Sequence, residues 1–159
     1  MTKKLVVFYS LEGNTRLIAQ TISQATGADL LELQPKQELN PKGFLKYFWG
    51  GKQVMMKEKP ELLPLTKNPQ NYDLLFIGAP VWAWSYAAPL NTFFSNIKLK
   101  DKKIALFCCH GGQKGKTFEN MRITLADNEI LGEKDFLDPL KREREKAVKA
   151  AKDWALLMD

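Results

Sequence analysis

Three short segments carry residue types that could do chemistry together. The first, Ser10-Leu11-Glu12-Gly13-Asn14-Thr15, combines two hydroxyls, an amide and a glycine free to take positive φ, between an apolar run and a stretch with helical spacing. Backbone N–H groups at a helix start have no intrahelical acceptor and lie at the positive end of the helix dipole, so this loop suits a phosphate without help from a lysine. It lacks the Gly-x-x-x-x-Gly-Lys-Ser/Thr pattern of a triphosphate loop and the Gly-x-Gly-x-x-Gly of a dinucleotide loop. A mononucleotide with a terminal phosphate fits better than ATP or NAD.

The second segment, Gly78-Ala79-Pro80-Val81-Trp82-Ala83-Trp84-Ser85, holds two of the four tryptophans and is expected as a loop. Indole faces there could flank a planar heterocycle. The third, Cys109-His110-Gly111-Gly112-Gln113-Lys114-Gly115, has three glycines in five residues, which lets backbone amides approach a ligand closely. His110 is the only histidine, and Cys108 and Cys109 are the only cysteines. This set lacks the spacing of a zinc site, adjacent cysteines form no unstrained bridge, and neighbouring residues at a strand end face opposite ways, so Cys109 and His110 make a poor nucleophile and base.

Elements that could bring these segments together are legible in the hydrophobic pattern. Five strands are expected at Lys3 to Tyr9, Asp29 to Leu33, Leu74 to Gly78, Lys103 to Cys108 and Glu129 to Asp135. The first, third and fourth read as continuous apolar runs, as central strands buried on both faces do, while the second and fifth suit edges. Leu17, Ile18, Thr21, Ile22 and Ala25 place a helix after the first strand, starting at Asn14 or Thr15 and stopping at Gly27. A last helix is expected from about Pro139, with Ala147, Ala151, Trp154 and Met158 on one side. The segment from Pro35 to Tyr72 is the least regular; one helix is expected over Phe44 to Met56, covering a sheet face or serving as a flap over a ligand.

The composition is that of a globular chain: 159 residues, 45% hydrophobic and 26% charged, enough for one domain. The apolar start ends too soon for a signal peptide or a membrane span, so a cytoplasmic protein is expected. The net charge of +6 raises nucleic acid as a partner. Much of the basic charge lies in Lys141-Arg142-Glu143-Arg144-Glu145-Lys146, where acidic residues alternate, which reads as a solvated helix face and argues against nucleic acid.

Taken together the three loops resemble the flavodoxin family across nearly the whole chain. Ser10 to Thr15 is similar to the family's Ser/Thr-x-Thr-Gly-Asn-Thr phosphate loop, and Gly78-Ala79-Pro80-Val81-Trp82, followed by Pro89 and Phe93-Phe94, resembles a short branch with a Gly-x-Pro-x-Trp loop. The resemblance implies an α/β three-layer sandwich with a five-stranded parallel sheet in the order 2-1-3-4-5, binding FMN. It places the phosphate on Ser10, Gly13, Asn14 and Thr15 with backbone from Leu11 and Glu12, one ring wall on Pro80, Val81, Trp82, Ala83 and Trp84, and the other on Cys109, His110, Gly111 and Gly112. Glu12 stands where the family often has a hydroxyl and is expected to turn outward. The implied function is electron transfer with a redox partner protein, here an acidic one given the basic charge. The alternatives are an FMN-dependent NAD(P)H:quinone or nitro-reductase on the same fold, and a cofactor-free interaction module.

Overall fold

Successive residues of the apolar runs face opposite sides, and helices cover both sides. The computed structural model describes residues 2–38 and 51–159. In chain order the elements are β1 (Lys4–Phe8), α1 (Asn14–Thr26), β2 (Asp29–Glu32), β3 (Leu74–Trp82), β4 (Ser85–Tyr86), α2 (Pro89–Asn96), β5 (Lys103–His110), α3 (Thr117–Thr124), β6 (Glu129–Leu137) and α4 (Arg144–Met158). The long strands are all parallel and lie in the order β2-β1-β3-β5-β6, which is 2-1-3-4-5 when these five are counted, and β4 pairs antiparallel with β3.

The period of two along each strand divides the interior into two cores. Leu5, Val7, Leu75, Ile77, Leu106 and Cys108 face α2 and α3 through Leu90, Phe93, Phe118 and Met121. Val6, Phe8, Phe76, Ala105, Phe107 and Cys109 face α1 and α4 through Ile18, Ile22, Ala151 and Trp154. Continuous apolar runs follow directly, because a parallel sheet covered on both faces has no polar side. Trp154 meets Phe76 edge-on at 6.0 Å, which fixes α4 over the sheet centre.

The helix after β1 starts and stops as its glycines require. Gly13 precedes it at φ 103°, and Gly27 closes it at φ 75°, donating its N–H to the Ser23 carbonyl at 2.9 Å. The last helix starts later than the pattern suggests. Residues 139–143 form a turn, and α4 begins at Arg144 after Glu143 takes φ 45°. Half of the mixed-charge run therefore lies in that turn, beyond the helix. The helix expected over Phe44 to Met56 lies mostly outside the described residues, of which 51–55 are helical. Farther along that irregular segment, Leu62 and Leu65 pack on the α2 side, and Thr92 Oγ1 donates to the Pro60 carbonyl at 2.6 Å. No helix among the described residues is long and apolar enough to cross a membrane.

Candidate functional site

At the carboxyl ends of β1, β3 and β5 the chain leaves the sheet in three turns that surround a cleft. The strand order reverses beside β1, where open parallel sheets leave a crevice. The first turn is organised by one hydroxyl. Ser10 Oγ accepts from the N–H of Gly13 at 3.1 Å and of Arg16 at 3.2 Å, which ties the loop across the start of α1. The amides of Asn14 and Thr15 stand in the helix's first turn, where no intrahelical acceptor exists. Asn14 Oδ1 accepts from Leu140 N–H at 3.0 Å, so its side chain anchors the turn after β6 to this loop.

Thr15 is 1% exposed and lines the cleft, and its Oγ1 has no oxygen or nitrogen partner among the described residues, only the weakly hydrogen-bonding Cys109 thiol beside it. A buried hydroxyl left without a partner costs about 1–3 kcal/mol, so an oxygen ligand there would recover that energy. Glu12 is exposed and stands among the residues lining the cleft. Arg16, the nearest cation in the helix, is bound to Glu32.

The second segment differs from the loop expected of it. Pro80, Val81 and Trp82 continue β3, and Ala83-Trp84 form a two-residue turn into β4, with Val81 opposite Tyr86 and Trp82 opposite Ser85. Strand geometry gives Trp82 a fixed direction, and it packs edge-on against Tyr9 at 5.5 Å. Tyr9 in turn donates its hydroxyl to Glu38 at 2.5 Å. Burial, then the Glu38 hydrogen bond and charge, push the Tyr9 phenol well above its ordinary range, so it stays a neutral donor.

Both turn residues have positive φ, 47° at Ala83 and 62° at Trp84, a conformation that non-glycine residues adopt at a cost of about 1–3 kcal/mol each. The tip is held from outside. Lys116 N–H donates to the Trp84 carbonyl at 2.7 Å, and a Cβ on Gly115 would lie 2.7 Å from Trp84 Cβ.

Ser10, Leu11, Glu12, Asn14 and Thr15 from the first segment line the cleft with Pro80, Val81, Trp82 and Ala83 from the second and Cys109, His110 and Gly111 from the third. Gly13, Trp84 and Gly112 fall outside its lining: Gly13 packs towards Leu140, and Trp84, 70% exposed, points to solvent from the hairpin tip. Sequence reasoning missed Gly51 and Asp138. The Gly50-Gly51 break in a helical pattern was the available signal for the first. Asp138 carried none, since its placement follows from β6 running two residues past its expected end and from its N–H donating to the His110 carbonyl at 2.9 Å.

The sequence profile of the flavodoxin family matches residues 3–147. The chain belongs to the flavodoxin family. Solved structures agree with this in fold. A flavoprotein from Lactobacillus acidophilus, determined in complex with FMN, has a TM-score of 0.73 at 23% identity, over 91% of this chain and 98% of that one. A protein from Bacteroides eggerthii assigned as a flavoprotein has a TM-score of 0.79 at 27% identity, over 98% of this chain and 99% of its own. Oxidised flavodoxin 2 from Bacillus cereus has a TM-score of 0.57 at 18% identity, over 98% of this chain and 97% of its own. No curated protein matches the chain in sequence.

The thiols of this flavodoxin are poor nucleophiles. Burial pushes Cys109 up to about 12 against the opposing effect of the Thr15 hydroxyl, and burial likewise raises Cys108. At pH 8 a thiol with a pKa of about 12 is ionised to about one part in ten thousand. Iodoacetamide should leave both cysteines unmodified in the native protein at pH 8, and label both in denaturant, as read by intact mass. Among the described residues no group of three histidine, cysteine or acidic side chains could hold a metal.

Proposed function

We propose that this flavodoxin binds FMN in the cleft and acts as an electron carrier, a single domain working in the cytoplasm with a separate redox partner. One observation carries the reading: the buried Thr15 hydroxyl, without an oxygen or nitrogen partner among the described residues, stands beside the amides of the α1 N-terminus, at one end of a cleft lined by Trp82. That arrangement fits a dianionic phosphate on a planar heterocycle, and the Lactobacillus acidophilus neighbour was solved with FMN. Bound FMN supplies the redox chemistry. The protein's residues bind and orient: Ser10 holds the phosphate loop in shape, Asn14 locks it to the turn after β6, and Pro80 to Ala83 exclude water from one side of the ring.

No side chain needs to act as nucleophile or metal ligand. With a net charge of +6, encounter with an acidic redox protein is favoured over encounter with a basic one. Mixing the purified protein with FMN should give a yellow complex with a perturbed flavin spectrum and quenched tryptophan fluorescence. Absence of binding at micromolar FMN would overturn the reading. Sustained NAD(P)H oxidation by the complex with a quinone would replace the carrier with the reductase alternative.

A further inference from the structure

The lone histidine is built into the cleft by a contact the family resemblance does not supply. His110 ends β5 opposite Leu137, on the same face as Cys108, whose partner in β6 is Asp135. Its Nε2 therefore reaches Asp135 Oδ2 diagonally across the strand pair, at 2.7 Å. The His110 side chain is 7% exposed, while Asp135, on the edge strand, keeps 42% of its own exposed. Burial pushes the Asp135 carboxyl up, but the hydrogen bond from His110 and the Lys114 ammonium outweigh it and hold it below its ordinary value. A carboxylate at this distance accepts from Nε2–H, which leaves the lone pair of a neutral imidazole on Nδ1.

That Nδ1 is buried and has no hydrogen-bond partner among the described residues, although His110 lines the cleft. Buried polar atoms are satisfied in the great majority of cases, and an orphan at a cleft points to a missing partner. Thr15 and Cys109 lie on the α1 side of the sheet, and His110 faces the other way, towards α3. The Thr15 hydroxyl and the imidazole thus stand on opposite sides of the sheet's carboxyl end.

We infer that Asp135 fixes His110 in the Nε2–H tautomer so that Nδ1 accepts a hydrogen bond from a donor on the cleft's ligand, an N–H of the flavin ring or a hydroxyl of its side chain. The inference rests on the FMN reading above. Asp135 is the positioning residue and His110 the recognition residue.

Because the chain has a single histidine, one imidazole spin system appears in a nitrogen-15 spectrum. In the ligand-free protein at pH 8 it should show a protonated Nε2 and a bare Nδ1, and only the Nδ1 resonance should move on saturation with riboflavin. Lumiflavin, which keeps the ring and lacks the hydroxyl chain, should move it too if the donor is the ring N–H, and should not if the donor is a hydroxyl. Flavin binding is read in the same titration by fluorescence. Binding with no change at Nδ1, or a protonated Nδ1 in the ligand-free protein, overturns the inference and leaves the FMN reading standing. Absence of binding to FMN in a parallel titration overturns both.

Two variants test the role separately. His110→Asn places an amide where Nδ1 stands, and His110→Gln places one where Nε2 stands. Riboflavin affinity should fall about three- to tenfold in the second and by a smaller factor in the first, which keeps an acceptor but loses the Asp135 tether. The reverse order, or equal effects in two variants with wild-type circular dichroism, would mean a tether without recognition.

Discussion

Replacing Thr15 by valine should weaken FMN binding about ten- to hundredfold, the value of a hydrogen bond to a charged group, while leaving riboflavin binding nearly unchanged. Valine keeps the shape of threonine and removes only the oxygen. In the ligand-free protein that oxygen is buried with no oxygen or nitrogen partner among the described residues, only the weakly bonding Cys109 thiol, so its loss should change stability by no more than about 1 kcal/mol. A residue with a purely structural role would show the opposite pattern, losing stability and leaving affinity alone. Isothermal titration with FMN and riboflavin, set beside a urea melt of the ligand-free proteins, measures both. Equal losses for the two ligands would remove the phosphate from this end of the cleft.

The second large effect is on stability. Gly78 lies in β3 between Phe8 of β1 and Phe107 of β5, and the Phe107 ring lies over its Cα. A Cβ at that position would fall 2.1 Å from Phe107 Cζ and 2.2 Å from Cε2, far inside contact distance. Phe107 is fully buried on the α1 and α4 side, so the ring can move only by displacing the core around it. Gly78→Ala should therefore cost at least about 3 kcal/mol, the upper part of the range for overpacked cores. In a chain of this size the melting temperature should drop by about 6–12 °C. Adding Phe107→Leu should recover part of the loss. A Gly78→Ala protein as stable as the wild type would mean that the ring has an alternative rotamer with room to spare.

How much of this was legible in the sequence varied with the physics behind each element. The central strands were plain because Leu5 to Tyr9, Leu74 to Ile77 and Ile104 to Cys109 are apolar on both faces, and only a doubly covered strand requires that. The α1 boundaries were plain because Gly13 and Gly27 sit where positive φ is needed. The start of α4 was misread because Pro139 looks like a first-turn proline, whereas the Asn14 side chain holds the following residue in a turn. Ala79 and Pro80, past the expected strand end at Gly78, looked like loop because proline usually interrupts a sheet. Here it sits near the strand end, where β3 passes from its parallel neighbours to the hairpin. Asp138 and the contact between His110 and Asp135 were invisible, since both arise from the register of β5 on β6, which no local pattern encodes.

The hairpin tip has an implication for how such chains can diverge. Ala83 and Trp84 hold positive φ without a glycine, and what keeps them there is the neighbouring loop, through the Lys116 amide and the bare backbone of Gly115 at φ 55°. Any side chain at position 115 would collide with the Trp84 backbone, whose carbonyl oxygen and Cα lie 2.7 and 2.8 Å from where a Cβ would stand. The two loops are therefore not independent units of inheritance. A relative that lengthens the β3–β4 turn releases position 115 from glycine, and one that replaces that glycine must rebuild the turn, so insertions in one loop and substitutions in the other should arise together.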